Sequence, residues 1–151
     1  MGDIESNRLG YRISTDVGAM DVDAIHAYLS RSYWSPGIPK DVVARAIGGS
    51  LCFGLFREER QVGFARVVTD RAAFAYLCDV YVLEDHRGRG LATWLMEAVL
   101  AHPHLQGLRR FLLATRDAHG LYEKFGFVPL ARPEIFMEIN RPGLYLASQA
   151  T

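Results

Sequence analysis

Between residues 76 and 92 the chain passes from an apolar, strand-like run, Tyr76-Leu77-Cys78-Asp79-Val80-Tyr81-Val82, into Arg87-Gly88-Arg89-Gly90-Leu91-Ala92 and then into a helical pattern. Glycines at a strand-to-helix junction let backbone N–H groups come close to a phosphate. The helix beginning there adds its unpaired N–H groups and the positive end of its dipole. Arg87 and Arg89 add charge suited to a diphosphate. Other phosphate loops fit less well: a dinucleotide loop needs a third glycine, and a nucleotide P-loop needs Gly-Lys-Ser or Gly-Lys-Thr. Taken alone, the loop is also compatible with a turn that merely opens a helix.

Asp79 is the second feature. It interrupts an apolar strand, where burying an unpartnered carboxylate is costly. Burial raises a carboxyl pKa, which suits a general base working directly or through water. Arg66 interrupts the preceding strand in the same way. If a turn near residue 72 pairs the two strands, an Arg66–Asp79 ion pair accounts for both residues equally well. Cys78 has no sequence-placed histidine to make it a thiolate, which argues against a nucleophilic role.

The pattern Arg87-x-x-Gly90-x-Ala92 after a hydrophobic strand resembles the acyl-CoA pyrophosphate loop of the GCN5-related N-acetyltransferases, the GNAT family. Ala118-His119-Gly120-Leu121-Tyr122-Glu123-Lys124-Phe125-Gly126-Phe127 is similar to that family's A-x-x-x-Y-x-x-x-G-F signature, and the two motifs stand in family order with a strand-like segment, residues 110–115, between them. The resemblance extends over residues 11–140, with the diagnostic positions confined to 79–127. It implies a single GNAT-like α/β domain spanning the chain, with a core over residues 9–140 and a central mixed sheet flanked by helices on both faces. It also implies acetyl-CoA as co-substrate and no metal.

By the same resemblance, Arg87, Gly88, Arg89, Gly90, Leu91 and Ala92 hold the pyrophosphate. A backbone N–H among Tyr81, Val82 and Leu83, at a bulge, meets the thioester carbonyl. Tyr122 matches the tyrosine that sits near the coenzyme sulfur. A phenol with an ordinary pKa of about 10 is protonated at neutral pH and can serve as general acid to a departing thiolate. Acceptor-binding residues fall between the first two helices, here the loop Ser32-Tyr33-Trp34-Ser35-Pro36-Gly37-Ile38-Pro39. Tyr33, Trp34 and Ile38 are the candidates, since aromatics held by prolines make a stiff apolar wall that can also stack on a cation. A packed connector is the alternative for that loop.

The elements that must position these residues follow from periodicity. Residues 9–14 read as a first strand. Asp21 caps a helix whose apolar face is Val22, Ile25, Leu29 and Tyr33. Pro39 opens a second helix that stops at Gly48-Gly49. Residues 51–57 and 61–69 form a hairpin, and a turn at 70–72 returns the chain through 74–83. Leu91, Leu95, Ala98 and Val99 stripe the next helix. The apolar run 111–114 reads as a strand covered on both faces. Residues 127–128 and 135–139 supply closing strands, and 1–8 and 141–151 are the expected loose ends. The resulting β-α-α-β-β-β-α-β-α-β order suits a mixed sheet with helices on both faces.

Composition narrows the function classes. The 151 residues suit one domain; half are hydrophobic, and 17 basic residues balance 17 acidic ones. Zero net charge disfavours nucleic acid, aminoacyl-tRNA or an anionic membrane as partner. Two cysteines make no disulfide framework or zinc site, and no apolar run is long enough to span a bilayer. The expectation is a cytoplasmic N-acetyltransferase, monomer or homodimer, that transfers acetyl directly to a primary amine of a small molecule or peptide. A non-catalytic acyl-CoA-binding sensor or scaffold is the rival, and O-acetylation or a longer acyl donor also stays open.

Overall fold

The computed structural model describes residues 3–149. Six strands form one sheet in sequence order: β1 (Glu5–Arg8), β2 (Tyr11–Ser14), β3 (Leu51–Arg57), β4 (Arg60–Thr69), β5 (Phe74–Val82) and β6 (Arg110–Leu113). Each neighbouring pair is antiparallel except β5 and β6, which run parallel. Helices α1 (Val22–Leu29) and α2 (Lys40–Gly48) lie between β2 and β3; α3 (Leu91–Ala101) joins β5 to β6, and α4 (His119–Glu123) and α5 (Leu144–Gln149) follow.

Alternation along the central strands sends side chains to two separate cores. On one face Phe53, Leu55, Val67 and Leu77 pack against Trp94, Leu95, Met96 and Val99 of α3. On the other, Cys52, Phe64 and Tyr81 meet Ile25 and Leu29 of α1 and Val43 and Ile47 of α2. The domain is therefore a mixed sheet with helices on both faces. Local signals set the helix ends. The Asp21 carboxylate accepts the Ala24 N–H at 3.0 Å and caps α1, while Gly90 in the left-handed region (φ 75°) begins α3.

The ladder shifts register twice, at Leu55/Phe56 between β3 and β4 and at Phe64/Arg66 between β4 and β5, and the second shift shapes the site. Phe64 faces Tyr81 and Arg66 faces Cys78, so Asp79 and Val80 together oppose Ala65. This two-against-one bulge puts Asp79 at φ 56°, a left-handed conformation that aspartate tolerates better than most residues. Beneath it Arg66 Nε donates to Asp79 Oδ2 at 2.8 Å, and Arg66 NH1 donates to Ser50 Oγ at 3.0 Å. The pair is largely out of water, with side-chain exposures of 18% and 8%.

Several sequence expectations are corrected. The first strand is a hairpin: Leu9 and Gly10 both take positive φ, and Glu5–Arg8, expected loose, pairs with β2 as an edge strand. Helix α1 stops at Leu29, leaving Tyr33 in the following loop rather than on the helix face. Pro39 is the cap of α2 rather than its first residue. β6 is an edge strand with all four residues half-buried, not a strand covered on both sides. Neither 127–128 nor 135–139 forms a strand; Pro133–Ile135 is a 3-10 turn instead, where two prolines (129 and 133) remove ladder donors. Residues 144–149 are helical, and Tyr145 packs on the α1–α2 core. Of the other expected loose residues, 1–2 and 150–151 lie outside those described.

Because breaking a buried pair leaves one charge uncompensated, Asp79→Asn should cost about 3 kcal/mol. Thermal melting should show a drop of about 6–12 °C at this chain length; an unchanged melting temperature would mean that the pair contributes nothing to the fold.

Candidate active site

β5 and β6 pair only from Phe74/Arg110 to Leu77/Leu113. Beyond that point the bulge turns β5 away, and the two parallel strands part. The gap is a cleft of about 620 Å³ on the α3 side, with a second cavity of about 410 Å³ behind it. Tyr33, Trp34, Val80, Arg116, Asp117, Ala118 and Tyr122 border both.

The floor of the larger cleft is the glycine loop and the first turn of α3, with Gly88, Gly90, Leu91, Ala92 and Thr93 in its lining. Gly88 and Gly90 sit at φ 78° and 75°, and a Cβ built on either meets nothing within 4 Å. Backbone conformation, not crowding, therefore requires glycine here. The loop is left open toward the cleft, and the unpaired N–H groups of α3 begin at its end. Strand register orients the next donors. Leu83 N–H is committed to Val62 O at 2.8 Å, and alternation along an antiparallel edge turns Val82 N–H the opposite way, into the gap.

The facing wall comes from α1. Tyr28 stacks flat on Tyr81, with ring centroids 3.9 Å apart and planes 6° off parallel, and Arg31 lies 4.4 Å over the Tyr28 ring. Arg31 donates to both Glu84 oxygens at 2.8 and 3.2 Å, and these hydrogen bonds hold the carboxylate down at about 2. Arg87 bends back to donate to Val82 O (2.9 Å) and Tyr28 OH (3.0 Å). Two guanidinium groups thus stand at the cleft mouth.

Tyr122 lies where the cavities meet, 8% exposed. Burial, aided by Tyr33 and Asp117, pushes its phenol up to about 12, so it is protonated across the whole neutral range. Burial, and then the neighbouring Asp79 charge, likewise raise the Cys78 thiol to about 12, which leaves it a poor nucleophile. Asp79 has both oxygens engaged: Oδ2 by Arg66, and Oδ1 by the Trp34 indole N–H at 2.8 Å. The ion pair weighed from sequence is present, and it extends to Trp34 in the loop between α1 and α2. Tyr33 meets Trp34 edge-on, receives the Arg116 backbone N–H at its hydroxyl (3.1 Å), and carries the Arg116 guanidinium 3.8 Å above its ring.

Of the residues singled out from sequence, Tyr81, Val82, Arg87, Gly88, Gly90, Leu91, Ala92 and Tyr122 line the larger cleft, with Tyr33 and Trp34 on its wall. Of the two cavities Asp79 lines only the one behind, and three others are placed elsewhere. Leu83 is absent from the lining of both cavities and its N–H is consumed by Val62. Arg89 turns outward to donate to Tyr11 OH at 3.0 Å. Ile38 is buried in the α1–α2 core, because a branched apolar residue between two helices is worth more packed than exposed. Sequence reasoning missed Tyr28, Arg31, Thr93, Arg116 and Asp117. Tyr28 borders the Ile25/Leu29 face of α1 and Arg31 lies beyond the end of that helix, so periodicity gave neither a separate signal; no pattern marked Arg116 or Asp117. Among the described residues no cluster of His, Cys, Asp and Glu could hold a metal ion, and no helix is long and apolar enough to cross a membrane.

Comparison with known proteins agrees with this geometry. A model of the acetyltransferase (GNAT) family matches residues 22–127. A Gibberella zeae protein named as a candidate acetyltransferase is 37% identical, the match covering 76% of each chain. A crystal structure of a Xanthomonas campestris protein, described as a candidate acetyltransferase of the same family, superposes with a TM-score of 0.89 at 54% identity, over 92% of this chain and 99% of that one. A Clostridium acetobutylicum structure solved with acetyl-CoA shares the fold at 16% identity (TM-score 0.63; 86% and 94% coverage). With a glycine loop opening α3, a cleft at the β5 bulge and a buried tyrosine at its junction, the chain belongs to the GNAT acetyltransferase family.

Proposed function

We propose that the protein is an acetyl-CoA-dependent N-acetyltransferase that passes the acetyl group directly to a primary amine of a small molecule or peptide. The observation that carries this reading is the position of Tyr122, one buried phenol shared by the glycine-loop cleft and the cavity behind it. This arrangement suits a ternary complex in which donor and acceptor occupy adjoining cavities and meet at one proton donor. The acetyl-CoA bound in the Clostridium acetobutylicum relative supports the choice of donor.

The residues present suit that donor. The open loop at Gly88 and Gly90 and the first N–H groups of α3 match a pyrophosphate, with Arg87 beside them and Arg31 on the opposite wall. Acetyl-CoA supplies an activated acyl carbon and a thiolate leaving group. Val82 N–H, free of the β4 ladder, is the donor available to a carbonyl oxygen that gains charge during attack. Tyr122 holds the proton for the departing sulfur. Asp79, with both oxygens occupied, acts as a brace: it ties the bulge to Trp34 and so sets one wall of the acceptor cavity. Trp34 and Tyr33 present aromatic surface to an amine. A purely coenzyme-binding module would need neither the second cavity nor a phenol at the junction.

Acetyl-CoA at a hundred times its dissociation constant should stabilise the protein by about 2.7 kcal/mol, a melting rise of about 5–11 °C; no rise in folded protein sinks the donor assignment. Gly90→Val forces a β-branched residue to φ 75° and should weaken acetyl-CoA about tenfold or more while the protein still folds; undiminished binding by titration calorimetry would refute the loop's role. Tyr122→Phe should lower turnover about 10²–10⁴-fold with the acetyl-CoA melting shift intact. Since the phenol titrates near 12, its ionisation should add no alkaline fall to the native pH–rate profile below pH ~10. Wild-type turnover in the phenylalanine variant would remove the acid role.

A further inference from the structure

The cavity behind the cleft holds charges that the donor half of the reaction does not use. Among the described residues Asp79, Arg116 and Asp117 are the charged members of its lining. Asp79 is already matched, with Arg66 on one oxygen and the Trp34 indole on the other. The Arg116 and Asp117 side chains are both more than half exposed and meet only loosely, Nη2 to Oδ2 at 3.8 Å, beyond hydrogen-bond reach. One cation and one anion therefore stand side by side in the cavity with their hydrogen-bonding capacity still available.

Arg116 is held in place although it is exposed. Its guanidinium lies 3.8 Å over the Tyr33 ring, and its backbone N–H donates to the hydroxyl of the same tyrosine at 3.1 Å. Tyr33 in turn meets Trp34 edge-on, and the Trp34 indole is bound to Asp79. A guanidinium stacked on a ring keeps its in-plane N–H groups free, and that planar fork matches a carboxylate. Asp117, the next residue, stands close to Tyr122: after burial and Tyr33, its charge is what raises that phenol. Its carboxylate is thus beside the point where an amine has to react.

We propose that the acceptor is a free α-amino acid with an uncharged side chain, its carboxylate held by Arg116 and its ammonium by Asp117. The assignment rests on the N-acetyltransferase reading above and names the acceptor class within it. Neighbouring groups of opposite charge complement a ligand that carries both charges on adjacent carbons. A diamine or longer polycation would meet Arg116 with a like charge and find no second acid, because Arg66 occupies Asp79. A peptide's amino end has a neutral amide where Arg116 calls for a carboxylate. Tyr33, Trp34, Tyr76, Leu77 and Leu113 line the same cavity. They offer aromatic and aliphatic surface and no further charge, which suits an apolar side chain.

CoA release from acetyl-CoA should separate free amino acids from their own derivatives. L-Phenylalanine, L-leucine and L-methionine should each exceed the matching carboxamide, and the matching amine without the carboxylate, by about tenfold or more in kcat/KM. Arg116→Met should bring that ratio near one, chiefly through KM. Arg116→Lys, which keeps the charge without the planar fork, should retain part of it, and it is read by the same ratio if the methionine variant does not fold. Titration calorimetry on protein saturated with CoA reads binding apart from turnover: the free acid should bind about tenfold or more tightly than its carboxamide. Carboxamides or simple amines used as well as the free acids, or free acids neither bound nor acetylated, would overturn the acceptor assignment. So would an Arg116→Met variant that keeps the preference, or one that loses affinity for acetyl-CoA instead, which would give the guanidinium to the coenzyme. Free acids that bind with the expected preference yet release no CoA would support the carboxylate site and overturn N-acetyl transfer.

Discussion

The Arg66–Asp79 pair under the β5 bulge is the constraint on which the site depends. A strand that kept regular pairing through Val82 would continue alongside β6, and there would be no gap to admit a substrate. The extra residue at 79–80 breaks the ladder, and the left-handed turn at Asp79 is held by a charge pair that has little access to water. Two buried charges cost desolvation that their attraction only partly offsets. Here the pair also fixes a backbone that would otherwise relax. Through the Trp34 indole the same carboxylate reaches the loop between α1 and α2, so one group sets both the opening between the strands and a wall of the cavity behind it.

Charge is distributed with the same economy. The chain as a whole is neutral, so no long-range field concentrates an anion around it. Short-range donors take over at the cleft: the N-terminus of α3, Arg87 and Arg31. Both arginines are engaged elsewhere in the structure, Arg31 by Glu84 and Arg87 by Val82 O and Tyr28 OH. The contacts to Glu84 and to Tyr28 OH are exposed and cheap to exchange, while the one to Val82 O is partly buried. The stacked Tyr28–Tyr81 pair beneath them is rigid and ties the cleft wall to the α1–α2 core.

The molecule is well ordered by its cores on both faces of β2–β5 and least covered at β6. Four strands are sealed by α1, α2 and α3; the fifth junction is opened by the bulge, and among the described residues no strand pairs with the outer edge of β6. Catalytic space and the unpartnered surface lie next to each other for this reason. Leu113, Ala114, Thr115 and Tyr122 line both the inner cavity and the outer groove.

Much of this was legible in the sequence, because it is local. Alternating apolar residues marked β3, β4 and β5; Asp21 marked the start of α1; the two glycines after an apolar strand marked the loop; and the spacing of Arg66 and Asp79 about a turn raised the ion pair. What the sequence could not decide involved partners distant along the chain. Leu83 lost its expected role because Val62 takes its N–H, and Arg89 because Tyr11 draws it outward. Ile38 belongs to a core that exists only once α1 and α2 meet, and Arg116 reaches Tyr33 only when β6 lies beside β5. Residues 135–139 carry a strand's pattern yet find no strand to pair with. Periodicity states which side chains would like to be buried and where a helix can begin. Which backbone group is left free, which charge finds a partner and which edge stays bare are settled by long-range pairing, and only the folded chain determines them.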